Sequence, residues 1–212
     1  MKNAKRLHAD PEFQQDMLMT VDNALDRMRK LMLQLREGAT PTAYASEAAT
    51  FEGIVRADGR MATRNYIGVL TSVNCSATVA RAIADHFRRD IHPLALQRYP
   101  HVDGVVALTH GAGCATDSDG EPLQILRRTL GGYARHPNFG ALLIVGLGCE
   151  TNQISGLMQQ EGLQESTRLH SFSIQDTGGT TKTIAKIVEQ IHELLPSVND
   201  ISREPVPVSE LK

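Results

Sequence analysis

The sequence predicts an α/β fold: a mainly parallel sheet of βα repeats, Rossmann-like in its three layers and preceded by an N-terminal helix. Two observations carry that expectation. From residue 51 onward, apolar strand-like runs alternate with helix-like runs at a regular interval, the pattern of parallel strands joined by right-handed crossovers. Runs such as VVAL and ALLIV are continuously apolar, as in strands covered on both faces. A third observation places chemistry on that frame. Cys75, Cys114 and Cys149 each follow a strand-like run and precede a helix-like one. In a parallel sheet the carboxyl ends of the strands share one edge, and ligands bind there. Three thiols far apart in sequence thus have equivalent stations along one crevice.

Taken in order, residues 11–36 read as one amphipathic helix, because Phe13, Met17, Val21, Leu25, Met28 and Met32 recur at three- and four-residue steps. Asp10 and Pro11 suit a helix start, and Gly38 offers the stop. The methionine and leucine stripe reads as a packing face, turned to its own domain or to another subunit. Residues 40–50, rich in Ala, Thr and Ser, read as a linker, so 1–50 form a helical segment with its linker. The α/β domain with its Gly-rich loops spans 51–196. A short strand over 51–55 leads through the Asp58-Gly59 turn to a strand over 66–73 and a helix over 76–87. The second unit pairs a strand over 104–109 with a helix over 121–133. The third runs 141–147 and then 151–160. In the fourth, a strand over 169–175 is followed by DTGG and a helix over 180–195. Residues 197–212, with prolines among small apolar residues, read as an exit linker.

Composition narrows the function classes. The chain has 212 residues, a formal net charge of −2, 41% hydrophobic and 22% charged residues, which describes an ordinary soluble protein long enough to bury a core. No concentrated positive surface exists for phosphate neutralisation, so nucleic acid is not the expected partner. The longest apolar run, 141–148, falls far short of the roughly 20 residues of a membrane span. Lys2, Lys5, Arg6 and Asp10 leave no apolar core for a signal peptide. An odd number of cysteines without a secretory signal points to a reducing compartment, with the cytoplasm as the expectation.

Four loops at the expected carboxyl edge, SVNCS, THGAGC, GLGCET and QDTGGT, combine glycine with small polar residues and potential ligands. Asn74, Gly111, Gly113, Thr177, Gly178 and Gly179 are the candidate substrate-binding positions there. Glycine lets backbone N–H groups approach an anion, and the following helix start adds partial positive charge. Simple tight turns are the alternative. Three thiols suit soft-metal ligation, including an iron–sulfur cluster with one iron open, or nucleophilic thiolates; free cysteine also serves as a small buried hydrophobe. No CxxC pair occurs, so the fold itself would have to assemble the ligands. His110 is a candidate proton carrier or metal ligand. Glu150 and Asp176 follow the third and fourth strands directly and are candidate bases or ligands, with helix capping as the alternative. Ahead of the first full strand, Arg60 and Arg64 with neighbouring Asn65 frame a compact cationic segment able to hold a carboxylate, unless it is a solvated turn.

The phrases FEGIVRADGRMATRNYIGVLTSVNCSATVARAIADHF, VDGVVALTHGAGC, HPNFGALLIVGLGCETNQI and IQDTGGTTKTI resemble the central region of the altronate and galactarate dehydratases, over roughly residues 51–195. The resemblance implies a hydro-lyase that converts a sugar acid to a 2-keto-3-deoxy acid with a divalent metal, usually iron and sometimes manganese, an iron–sulfur cluster being the alternative. Removing a proton beside a carboxylate builds an enediolate, which needs a cationic clamp or metal, a base, and an acid for the departing hydroxyl. Within that scheme Arg60, Arg64 and the Gly-rich N–H groups would hold the carboxylate, and His110 would move a proton. Cys75, Cys114 and Cys149, with Asn74 and Glu150, would line the metal site. Family members acting as single chains begin with a small β-rich domain of the SAF type and continue past PVPVSELK into another domain. The chain is therefore expected to be a fragment or split subunit, completed by the remaining domains or subunits and forming a homo-oligomer. Two other readings stay open: a related lyase acting on a sulfonated hydroxy acid, and a non-catalytic assembly domain that uses the methionine-lined helix as its contact.

Overall fold

The structure is a computed structural model that describes residues 49–211 and, outside them, Arg29. Arg29 apart, the helix expected over 11–36 lies outside the described residues, as does nearly all of the linker over 40–50.

Four strands form the expected parallel sheet: β3 (Tyr66–Thr71), β4 (Gly104–Leu108), β5 (Phe139–Gly146) and β6 (Leu169–Ser173), in the order β4-β3-β5-β6. The crossovers carry α1 (Ala77–His86), α2 (Glu121–Ala134) and α3 (Ile154–Glu161). A one-turn α4 (Ile174–Thr177) and the long α5 (Thr180–Asn199) follow β6. Local chemistry sets these helices. In α2, Pro122 sits in the first turn, where its missing N–H costs nothing, and α3 stops at Gly162 in the left-handed conformation (φ 62°). In α5, Thr183, Ile187, Ile191, Leu194, Leu195 and Val198 form one buried stripe, and the helix runs a turn beyond the expected end because Val198 still packs inward.

The period of two along each strand sorts the core into two layers. Ile67 and Val69 of β3, with Leu143 and Val145 of β5, pack with Val79 and Ile83 of α1 and Ile187 and Ile191 of α5. Leu70, Leu142 and Ile144 turn to the opposite face, against Leu130 of α2 and Leu157 of α3. Helices thus cover both faces, which is the three-layer architecture expected. Because α1 and α3 leave adjacent strands β3 and β5 on opposite faces, a crevice opens between the carboxyl ends of those two strands.

A second, antiparallel sheet corrects the reading of 197–212 as a linker. β1 (Thr50–Val55) pairs with β2 (Met61–Ala62) on one side and with β7 (Glu204–Pro207) on the other. Pro205 and Pro207 hide this strand in the sequence, yet proline is tolerated on an edge strand, and Val206 between them is buried opposite Phe51.

Candidate functional site

The connection after β4 positions the crevice. It folds back over the end of β3: the Asn74 N–H donates to Ala112 O (2.9 Å), and the Asn152 N–H donates to Gly113 O (3.2 Å). Gly113 has φ +95°, and a Cβ there would stand 2.7 Å from Ser72 O, so this close crossing requires glycine. One connection thereby bridges the β3 and β5 loops and brings Cys114 beside Cys75. All three cysteines are exposed. The Cys75 thiol is pushed above its ordinary pKa, first by a hydrogen bond with Cys114, then by desolvation and by the charges of Cys114 and Cys149. Cys114 thus lies against Cys75, and Cys149 is near enough for its charge to act on Cys75. Cys75 Sγ also lies 3.8 Å from Asn74 Oδ1.

Three sulfur donors match a thiophilic metal or an iron–sulfur cluster better than a hard cation. By donor chemistry the thiols suit such a group. Among the described residues, no three His, Cys, Asp or Glu side chains stand as a group that could enclose a metal ion.

Two residues singled out for catalysis also hold the crevice together. His110 Nδ1 accepts from the Ala112 N–H (3.2 Å), so the ring carries its proton on Nε2, which donates to Thr71 O (2.9 Å). With both ring nitrogens bonded to backbone, His110 pins the β4 loop to the end of β3. Glu150 is 3% exposed; its Oε1 accepts from Ser72 Oγ (2.8 Å) and the Leu147 N–H (3.2 Å), and its Oε2 from the Gly148 N–H (2.6 Å). This carboxylate folds its own loop and ties it to β3.

Asp176 is different. It is exposed in the single turn of α4, with its backbone N–H capped by Ser173 Oγ (3.4 Å). Along with Gly148, Glu150, Ser173, Thr177 and Lys186 it lines a cleft of about 520 Å³ between the β5 loop and the β6–α5 connection. Thr177 returns its hydroxyl to Ser173 O (2.7 Å), while Gly178 and Gly179 take left-handed conformations (φ 91° and 109°) to turn the chain into α5. Asn74 and Gly111 are exposed on the cysteine side of the edge.

Arg60, Arg64 and Asn65 do not join this site. Asn65 immediately precedes β3, and the six residues of that strand, roughly 20 Å, separate it from the thiols. The Asn65 side chain is fully buried: Oδ1 accepts from Arg56 Nη2 (3.0 Å), and Nδ2 donates to His101 O (2.9 Å) and Val198 O (2.8 Å). Arg64 pairs with Asp103 (3.6 Å), and Arg60 with Asp58 (2.6 Å) while donating to Arg135 O. All of these lie at the amino edge, because residues before a strand and residues after it occupy opposite ends of a parallel sheet.

Three residues of the carboxyl edge went unnamed in the sequence reading. Ser72 and Asn152 tie the loops together, with Asn152 Nδ2 donating to Ser72 O (2.8 Å) and its Oδ1 accepting from Arg127 Nε (2.9 Å). Polar residues flanking a strand end beside a cysteine were the available signal. Lys186 brings a cation into the cleft, with Nζ 5.6 Å from the centre of the Phe172 ring. Its four-residue step from Lys182, which puts both on one face of α5, was the clue. No helix among the described residues is long and apolar enough to cross a membrane.

Residues 53–199 match the family model described as the second domain of D-galactarate dehydratase/altronate hydrolase. The chain is 33% identical over 158 residues to the altronate dehydratase of Escherichia coli, covering 74% of this chain and 30% of that protein. It is 33% identical over 171 residues to the galactarate dehydratase (L-threo-forming) of the same organism, covering 78% and 32% respectively. To the (2R)-sulfolactate sulfo-lyase subunit beta of Chromohalobacter salexigens it is 28% identical over 163 residues, covering 76% and 36%. The chain thus spans about a third of the length of the curated relatives it matches.

Proposed function

Because the chain belongs to the D-galactarate dehydratase/altronate hydrolase family and carries its second domain, we propose that it supplies the carboxyl-edge crevice of a metal-dependent hydro-lyase that removes water from a sugar acid. The observation that supports this most is the gathering of three cysteine-bearing loops at the carboxyl edge of the sheet, beside a cleft lined by the carboxylates of Glu150, Glu165 and Asp176 and the ammonium of Lys186. Cys75, Cys114 and Cys149 are the proposed ligands of iron or an iron–sulfur cluster, which when bound supplies Lewis-acid stabilisation of the enediolate. The remaining roles fall to this chain's own groups. Lys186 and the N–H groups of the Gly-rich turns hold the substrate carboxylate. Asp176 takes the proton from the carbon beside that carboxylate and returns it to the hydroxyl leaving the next carbon, so that water departs and Asp176 is again a carboxylate. The enol that results rearranges to a 2-keto-3-deoxy acid, so the sum is one sugar acid to one keto acid and one water.

Parts contributed from outside residues 49–211 complete the site in this reading, and the protein works in a reducing, cytoplasmic setting as part of a larger assembly. The test is anaerobic: the protein, in the assembly in which it is isolated, is given ferrous iron and then altronate, galactarate or (2R)-sulfolactate. Keto-acid formation from either sugar acid, with loss of bound iron in Cys75→Ser, Cys114→Ser and Cys149→Ser, is the expected result. Sulfite release from sulfolactate alone would move the assignment to the sulfo-lyase relative, and no turnover of any of the three would overturn it.

A further inference from the structure

At the amino edge, Arg56, Arg60 and Arg168 surround a cavity of about 400 Å³ whose floor includes Phe139 and Leu169. That volume falls within the range of small-molecule sites. Arg56 is 9% exposed, and its guanidinium is built into the fold: Nε donates to Pro137 O (2.7 Å) and Nη2 to Asn65 Oδ1 (3.0 Å). Its third nitrogen, Nη1, is buried with no partner in the structure. Among the described residues no carboxylate forms an ion pair with Arg56; Asp58, which also lines the cavity, is taken by Arg60 at 2.6 Å.

A guanidinium cannot shed its proton to escape burial, and an unpaired buried charge is costly. Here the neighbourhood adds to that cost. The Arg56 pKa is lowered first by burial and then by Arg168, with Arg60 and Arg203 adding to the repulsion and Asp58 alone opposing it. Arg168 also lines the cavity, its backbone fixed beside β5 by a carbonyl that accepts the Leu142 N–H (2.7 Å). Three arginines against one committed carboxylate leave an excess of positive charge around a space with an apolar floor. An anion in the cavity would balance that excess.

We propose that this cavity binds a small oxyanion, phosphate or the carboxylate of a small organic acid, at the pole of the sheet opposite the thiols. The assignment does not rest on the dehydratase reading, since it uses none of those residues.

Thermal unfolding of the full chain tests it, with inorganic phosphate and succinate as separate probes and sodium chloride holding ionic strength constant. At least one probe should raise the unfolding midpoint saturably; which of them does so separates a phosphate site from a carboxylate site. Arg168 is exposed, so Arg168→Gln should fold, weaken the apparent affinity for that probe at least tenfold, and raise the midpoint in chloride alone by relieving repulsion on Arg56. Arg88→Gln, which removes an exposed charge paired elsewhere with Asp85 and Asp90, should leave the probe's effect intact. A midpoint that follows ionic strength only, or an equal response in Arg168→Gln and the unaltered chain, would overturn the proposal.

Discussion

Replacing Glu150 by Gln separates a loop-building role from a catalytic one. In the native loop Oε2 accepts the Gly148 N–H at 2.6 Å, and Oε1 accepts Ser72 Oγ and the Leu147 N–H at 2.8 and 3.2 Å. A glutamine has one accepting oxygen. With that oxygen at the Oε1 position, its NH₂ meets the Gly148 N–H donor to donor and the shortest bond is lost. Turned over, it keeps Gly148 but sets its NH₂ against the Leu147 N–H, while the Ser72 hydroxyl can rotate to accept. Either way one partly buried N–H loses a charged acceptor, an effect of about 2 kcal/mol. For a chain of this size that corresponds to a fall in the unfolding midpoint of about 4–8 °C. Urea and thermal unfolding measure it, and the rate of Cys149 modification by a thiol reagent should rise as its loop loosens. Unaltered stability and thiol reactivity together with abolished turnover would refute the reasoning, because Glu150 would then act on substrate.

Gly113→Ala should cost about 2 kcal/mol, since an alanine at φ +95° is strained and its Cβ meets Ser72 O at 2.7 Å. The accompanying sign is faster hydrogen exchange at the Asn74 and Asn152 amides, which bond to Ala112 O and Gly113 O; unchanged exchange would mean that the β4 loop is not what bridges the crevice. Stability should also fall in mild acid. His86 has its pKa lowered by desolvation and then by the charges of His92 and His192, so the unfolded chain protonates first, near pH 6.5. The contribution is complete above that pH and is lost as pH falls through the window below it. Comparing urea midpoints at pH 7.5 and 5.5, the drop should be smaller in His86→Gln, and an equal drop would assign the acid sensitivity to other groups.

The βα order was legible because fully buried parallel strands leave continuous apolar runs, and β3, β5 and the stripe of α5 are of that kind. β7 was not, since its two prolines mimic a linker and only pairing with β1 shows that Val206 is part of a core. The common station of the thiols at the carboxyl edge followed from topology alone. The misplacement of Arg60, Arg64 and Asn65 was avoidable on the same topology: residues that precede β3 cannot share an edge with residues that follow it.

The bonds that His110 and Glu150 make have a physical reason that also clarifies the site. Three long loops crossing at a switch point carry many backbone N–H and C=O groups that no strand or helix satisfies, and groups buried there must find partners. His110, Glu150, Ser72 and Asn152 meet that need, as does Thr151, whose hydroxyl donates to Cys114 O (2.9 Å). A residue type tells what bonds a side chain can make, and only the fold tells which of them the backbone has claimed. Among the reactive residues after the strands, the thiols and Asp176 are the ones left exposed once those claims are met. They are free to face a ligand because their neighbours are not, and a substitution at His110 should therefore act through the position of Cys114 rather than through loss of a proton carrier.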